Sequence, residues 1–245
     1  MQRLRRLLSN KSERDEAKSF VVEGRHLLEE ALRACWQVRE IFVDPERVDQ
    51  ALWGLDLRGA HTYELQDGVM GRVATTESPQ GVMAEIARRD FNEADLHGWV
   101  LVVDRLGDPG NLGTLIRSAE AFGASAVLCT PGTVDPFNPK ALRAAAGATF
   151  HVPVLVDRPL EDLKRQGFRV LGTTSHGSAR TQDVASVDLS GDVAVVLGNE
   201  ARGLDSDVPV DGWVSIPHTG HSESLNVAMA GTVLSYVMAS RRGRS

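Results

Sequence analysis

The chain has 245 residues, 42% hydrophobic and 24% charged, which suits one large or two modest soluble domains with a real core. No apolar run approaches the roughly 18 residues that span a bilayer, and no signal-like apolar region follows the basic start MQRLRRLLSNKSERDE, so a cytoplasmic protein is expected. The net charge of −6 weighs weakly against a nucleic-acid partner, and the two cysteines, Cys35 and Cys129, weigh against a disulfide framework or a zinc site.

The charge is unevenly placed. Residues 1–26 carry seven basic side chains (Arg3, Arg5, Arg6, Lys11, Arg14, Lys18, Arg25) against four acids, and the tail adds Arg241, Arg242 and Arg244. A local basic face is therefore compatible with an acidic protein. After an amphipathic start (Leu4, Leu7, Leu8), the pattern reads as a strand at 20–24, a helix at 25–35 and a strand at 38–44. A helix near 46–54, a strand at 61–65, a helix near 67–74 and a strand at 81–87 follow. This is a small α/β sandwich without evident chemistry. The polar segment 88–98 marks the boundary, giving domains at 1–90 and 98–245.

Beyond the boundary, nearly continuous apolar strands are expected at 99–104, 125–130, 151–157, 168–174, 192–198 and 212–217. Helices fit 111–122, 138–146, 159–166 and 224–242. Apolar runs separated by helices predict a parallel sheet covered on both faces, with the ligand site at the carboxyl ends of its strands.

Three polar segments directly follow strands. In LGDPGNLGTLIRSAEAFG (106–123) the glycines Gly107, Gly110 and Gly113 miss the dinucleotide-binding spacing, and Pro109 occupies the turn. What remains is Asn111, a candidate helix cap, and Arg117, two turns inward. VLGNEARGL (196–204) puts Gly198, Asn199, Glu200, Arg202 and Gly203 in one loop, where glycines let a ligand approach the backbone or simply make a tight turn. SIPHTGHSESLNVAMAGTVLSYVMASRR (215–242) leads from a strand through a polar loop to Ser224, Leu225 and Asn226, then into a small-residue helix. His218 and His221 lack an accompanying cysteine or acidic cluster, so no metal is expected.

These three segments, as N-L-G-x-x-x-R at 111–117, L-G-N-E-x-x-G-L at 197–204 and I-P-x-x-x-x-x-E-S-L-N-V-A-x-A at 216–230, resemble the ordered motifs of the SpoU/TrmH RNA 2′-O-methyltransferases of the SPOUT superfamily. FVVEGRHLLEEAL (20–32) and SPQGVMAEIA (78–87) look more loosely like that family's small RNA-binding domain, which has a ribosomal-protein-like fold. The resemblance implies an α/β protein whose C-terminal parallel-sheet domain holds a deep trefoil knot, a homodimer with sites completed across its interface, and S-adenosylmethionine as cofactor. By position, Gly198, Ile216 and Leu225 match cofactor-contacting residues, with Thr173 and Leu197 as neighbours. Arg117 matches the residue proposed to assist the reaction. As an arginine is a poor base, stabilising a developing alkoxide or binding phosphate suits it better. Asn111 and Asn226 are expected to orient the hydroxyl or Arg117, Ser224 to bond within its loop, and Glu200 to hold the motif loops together. Arg3, Arg5, Arg6, Arg25, Lys140 and Arg143 are the candidate RNA contacts, and Ala145 stands where the family often carries serine. Large-subunit ribosomal RNA is the expected substrate. The alternatives are transfer RNA, or an RNA-binding protein of the same fold without turnover.

Overall fold

The computed structural model describes residues 2–76, 78–92, 96–175, 181–205, 207–219 and 224–242. Glu223 of the third motif, His221 and Arg244 lie outside them. The chain forms two compact units, residues 1–90 with 137–151, and residues 91–136 with 152–245. The segment 137–151, expected within the second domain, packs with the first unit.

In the first unit, α1 (Gln2–Ser9) buries Leu4, Leu7 and Leu8 at helical spacing. Asn10 caps α2 (Lys11–Ala17), accepting from the Ser12 N–H, and Lys18 ends it in a left-handed conformation. Then come β1 (Ser19–Glu23), α3 (Arg25–Arg33), β2 (Val38–Val43), α4 (Val48–Leu52), β3 (His61–Glu64), α5 (Val69–Val73) and β4 (Val82–Ala87). The helix expected at 46–54 is divided into a 3₁₀ turn opened by Pro45 and the short α4. The sheet runs β1-β4-β2-β3, with β4 antiparallel to both neighbours and β2 parallel to β3. Leu4, Leu7, Leu8, Met70 and Val73 form one core with Val21 and Met83 of the sheet. A second core stacks Phe20 and Trp36 with Phe137 and Phe150, and the Trp36 indole N–H donates to the Phe150 carbonyl. That aromatic cluster explains why 137–151 leaves the parallel-sheet unit.

The second unit contains β5 (Trp99–Val103), α6 (Pro109–Ala121) and β6 (Ala126–Cys129). Next is α7 (Pro139–Ala145), in the segment that joins the first unit, then β7 (Val154–Val156), α8 (Leu160–Arg165), β8 (Arg169–Thr173), β9 (Thr181–Asp183), β10 (Val193–Leu197), β11 (Gly212–Ser215) and α9 (Val227–Arg242). The sheet order is β7-β6-β5-β10-β8-β11-β9, and every neighbouring pair is parallel. All five residues of β5 and of β10 are buried, as the unbroken apolar runs require. The short polar edge strand β9 carries no apolar signal and was not legible. After β8 the chain visits that far edge and returns, so that β10 is inserted between β5 and β8.

α9 packs closely on α6. A Cβ at Gly231 would lie 2.1 Å from Leu115 Cδ2, and the Ser118 and Thr232 hydroxyls are 2.7 Å apart. At the other end of α9, Arg241 donates to the carbonyls of Val184 and Val187, and Arg242 to those of Leu189 and Gly191. These tail arginines are structural clamps and not part of an open basic face.

Candidate functional site

A cavity of about 360 Å³ opens at the carboxyl ends of β8, β10 and β11. Parallel strands end there with their following loops, which is where such sheets hold ligands. Thr173, Leu197 and Ile216 line it, joined by Gly198 and Glu200 of the loop after β10 and by Ser224 and Leu225 before α9. The second and third motifs, far apart in sequence, thus share one concave surface. Leu197 is buried, Ile216 half-buried and Leu225 exposed, which makes an apolar wall with an open mouth. The Thr173 hydroxyl donates to the Val196 carbonyl at 2.9 Å, while that of Ser224 has no partner among the described residues.

The loop after β10 is closed on itself. Asn199 and Gly203 exchange backbone hydrogen bonds of 2.8 and 3.2 Å, and the Asn199 side-chain oxygen accepts from Ala201 N–H and Arg202 N–H. This closure gives Gly198 a reason that differs from the expected ligand approach. A Cβ there would lie 2.3 Å from the Gly203 carbonyl carbon and 2.5 Å from Leu204 N. The missing side chain makes room for the loop's own backbone.

Glu200 joins this loop to the first motif. Its carboxylate accepts from the Asp108 N–H at 3.0 Å, the Gly107 N–H at 3.3 Å and the Asn111 amide at 3.3 Å. Partial burial pushes its pKa up. The backbone donors of Glu200 itself, Asp108 and Gly107, with Asn111, outweigh burial and hold the carboxyl below its ordinary range. The Asn111 side-chain oxygen in turn accepts from the Asn226 amide at 3.4 Å. Asn226 Oδ1 accepts from Ala228 N–H and Met229 N–H, which starts α9 at Val227 instead of the expected 224. All three motifs are thereby connected through Glu200, Asn111 and Asn226.

The cap of α6 is Asp108 and not Asn111. Asp108 Oδ1 accepts from the Asn111 N–H at 2.8 Å, with Pro109 at the first helical position. The Asp-Pro pair was the available signal for this cap. Arg117 is exposed on α6 and makes no hydrogen bond or ion pair with any described residue. It does not line the cavity of its own chain.

Most of the candidate RNA contacts have internal duties. Arg25 is half-buried and donates to the carbonyls of Gln50, Ala51 and Trp53, so it fastens the end of α4. Arg3 reaches the buried Glu85 at 2.6 Å, which also accepts from Ser19 and Arg39. Arg143 bonds Thr75 Oγ1 and Glu23, and Arg6 pairs with Glu13 at 3.7 Å. Lys140 is exposed in the first turn of α7. Arg5 is exposed and its guanidinium has no partner among the described residues. Among the described residues there is no cluster of metal-ligating side chains, and no helix is long and apolar enough to cross a membrane. Cys129 is buried, which pushes its thiol up to about 12 and makes it a poor nucleophile.

Residues 98–236 match the SpoU rRNA Methylase family. The chain belongs to that family. Residues 2–84 match a second model, the MRM3-like substrate binding domain. This SpoU-family chain is 37% identical over 235 residues to the 23S rRNA (guanosine(2553)-2′-O)-methyltransferase RlmP of Bacillus subtilis, covering 94% of this chain and 92% of that protein. Its fold is similar to that of AviRb from Streptomyces viridochromogenes, solved in complex with the cofactor AdoMet (TM-score 0.86, 26% identity, covering 98% and 97% of the two chains). It is also similar to an AdoMet-bound rRNA methyltransferase from Sinorhizobium meliloti (TM-score 0.84, 30% identity, covering 99% and 94%). The α/β fold with its seven-stranded parallel sheet is the expected fold class.

Proposed function

We propose that this protein transfers the methyl group of S-adenosylmethionine to a ribose 2′-hydroxyl of large-subunit ribosomal RNA. The observation that carries the reading is the meeting of the three motifs at one cavity, in a chain whose relatives are named for this reaction. The cavity suits the cofactor. Its size of about 360 Å³ lies within the roughly 300–1,000 Å³ usual for small-molecule sites. Leu197, Ile216 and Leu225 offer apolar surface to a purine, and the closed loop after β10 supplies backbone polar groups.

The cofactor brings an already activated methyl, so the protein's contribution is positioning and electrostatics. Glu200, ionised at neutral pH, holds the loop after β10 against the start of α6. Asn111 and Asn226 face each other at the meeting of α6 and α9 and orient the ribose. Arg117, permanently cationic, stabilises the oxygen as negative charge develops on it.

Arg117 lies two turns along α6 from Asn111, about 9 Å, and is outside its own chain's cavity. A homodimer resolves this by presenting Arg117 to the partner's cavity. The exposed stripe Met229, Val233 and Tyr236 on α9, beside α6, suits such an interface. The insertion of β10 between β5 and β8 suits a knotted C-terminal path. The N-terminal domain gives RNA affinity, with Arg5 as a contact and with Arg6, whose surface pair with Glu13 leaves it exposed, as a second, and a cytoplasmic location suits that substrate. The test is transfer of labelled methyl from S-adenosylmethionine to purified ribosomal and transfer RNA. Label recovered as a 2′-O-methylnucleoside from 23S RNA is expected; label on a base, or only in transfer RNA, overturns the proposal.

A further inference from the structure

We propose that Arg105 is a positioning residue of the cofactor site, whose guanidinium, forked between Asp104 and Asp205, fixes the loop after β10 over the cavity and so sets cofactor affinity. This rests on the reading of the cavity as the S-adenosylmethionine site. Arg105 belongs to none of the three motifs.

Arg105 follows β5 with φ 51°, in the left-handed region that glycine enters without strain and other residues rarely occupy. An arginine in that conformation points to a use for its side chain. Nε donates to Asp104 Oδ2 at 2.9 Å, Nη2 lies 2.8 Å from the same oxygen, and Nη1 donates to Asp205 Oδ2 at 2.6 Å. Asp104 is a firm base for this fork. Its side chain is 12% exposed, its Oδ1 accepts from the Thr130 hydroxyl at 2.7 Å, and its N–H donates to the Leu197 carbonyl at 2.8 Å. The Arg105 backbone is held as well, since its N–H donates to Thr130 Oγ1 and its carbonyl accepts from the Asn199 amide at 2.9 Å.

The loop is therefore pinned twice. Glu200 ties it to the start of α6, and Arg105 ties Asn199 and Asp205 to the end of β5. Arg202 and Leu204 line the cavity between those pins, and Gly198 lines it just before them. An arched loop that is already fixed does not have to be ordered when ligand enters, and removing that cost raises affinity. The Arg105–Asp205 pair alone is half exposed, where isolated ion pairs contribute little. The contact of Nε and Nη2 with one oxygen of the nearly buried Asp104 is what anchors the guanidinium and leaves Nη1 aimed at Asp205, and a hydrogen bond between two charged groups is stronger than a neutral one.

Calorimetry with S-adenosylhomocysteine and steady-state kinetics on the full-length protein test this. Arg105→Gly accepts the left-handed backbone while removing the fork. It is expected to weaken S-adenosylhomocysteine binding about tenfold and raise the cofactor KM alike, with kcat at saturating cofactor within about twofold. Arg105→Lys retains a cation and should recover most of that affinity. Asp205→Asn, a surface change that the fold tolerates, should weaken binding about threefold, and adding it to Arg105→Gly should cost nothing more. Wild-type affinity in Arg105→Gly and Asp205→Asn, even with a lowered melting temperature, overturns the positioning role. A wild-type protein that fails to bind S-adenosylhomocysteine overturns the cavity assignment itself.

Discussion

Both units spend most of their candidate arginines on the fold, and each leaves one of them without a partner among the described residues, Arg5 on α1 of the N-terminal unit and Arg117 on α6 of the C-terminal unit. In the N-terminal unit, Arg3, Arg25 and Arg143 end on a buried carboxylate, on backbone carbonyls or on a threonine–glutamate pair. In the C-terminal unit, Arg117 stands on α6 with no partner among the described residues, although its neighbours in the fold are densely hydrogen-bonded. A count of basic residues therefore misplaces function. A cation already bonded to the protein has little left to offer a ligand, whereas an unpaired one beside a preorganised loop does.

The sharpest way to break that contrast is Arg117→Ala. Methyl transfer is expected to fall at least about a hundredfold, roughly 2.7 kcal/mol of transition-state stabilisation, while S-adenosylhomocysteine affinity stays unchanged. A change of less than a few-fold in single-turnover rate would remove Arg117 from the chemistry. Mixing Arg117→Ala chains with chains defective only in the cofactor loop then tests the shared site. Up to about a quarter of wild-type activity should return through mixed dimers, and none should return if both groups serve the same chain's site.

Gly198→Ala comes next. The added methyl would meet the Gly203 backbone at 2.3 Å, so the loop must open. Overpacking of this kind costs about 1–3 kcal/mol, and S-adenosylhomocysteine binding should weaken at least about tenfold, since about 1.4 kcal/mol is a factor of ten. A melting temperature and affinity both equal to wild type would contradict the loop geometry.

A smaller effect separates the two kinds of arginine within the N-terminal unit. Charge reversal at Arg5 and Arg6 should weaken RNA binding several-fold and lower its salt slope by about 1–2. Arg25→Ala should leave RNA affinity alone and reduce stability by about 1–2 kcal/mol, because three carbonyl acceptors lose their donor. Filter binding across a salt series, with denaturant melts, reads both; the reverse pattern would show that Arg25 faces RNA.

The smallest expected effect is in pH. Glu200 has a folded pKa below its ordinary 4.5, so its contribution to loop closure is complete above that value and is lost as pH falls through the lower, folded pKa. S-adenosylhomocysteine affinity should drop in that acidic window for the wild type, and less steeply for Glu200→Gln. Identical profiles would separate Glu200 from the loop.

Much of this was legible in the sequence. The unbroken apolar runs at 99–104 and 192–198 gave the buried parallel strands, because a strand covered on both faces has no polar side to show. Asp108 was readable as a cap from the Asp-Pro pair, although Asn111 at the helix start has the same capping chemistry. The placement of 137–151 was not readable, since it depends on Phe137 and Phe150 meeting Phe20 and Trp36 across more than a hundred residues. Neither was the fork of Arg105 on Asp104 and Asp205, a non-local contact with no periodicity. For Gly198, the sequence marked a place that tolerates no side chain, and only the folded loop showed that its own backbone fills the space.

The most direct measurement is a map of ribose 2′-O-methyl groups across total RNA from cells with and without this protein. The account expects a 2′-O-methyl in 23S RNA that disappears with the protein, returns with the wild-type chain and fails to return with Arg117→Ala. An unchanged ribose map, or a lost methyl that lies on a base, would contradict it.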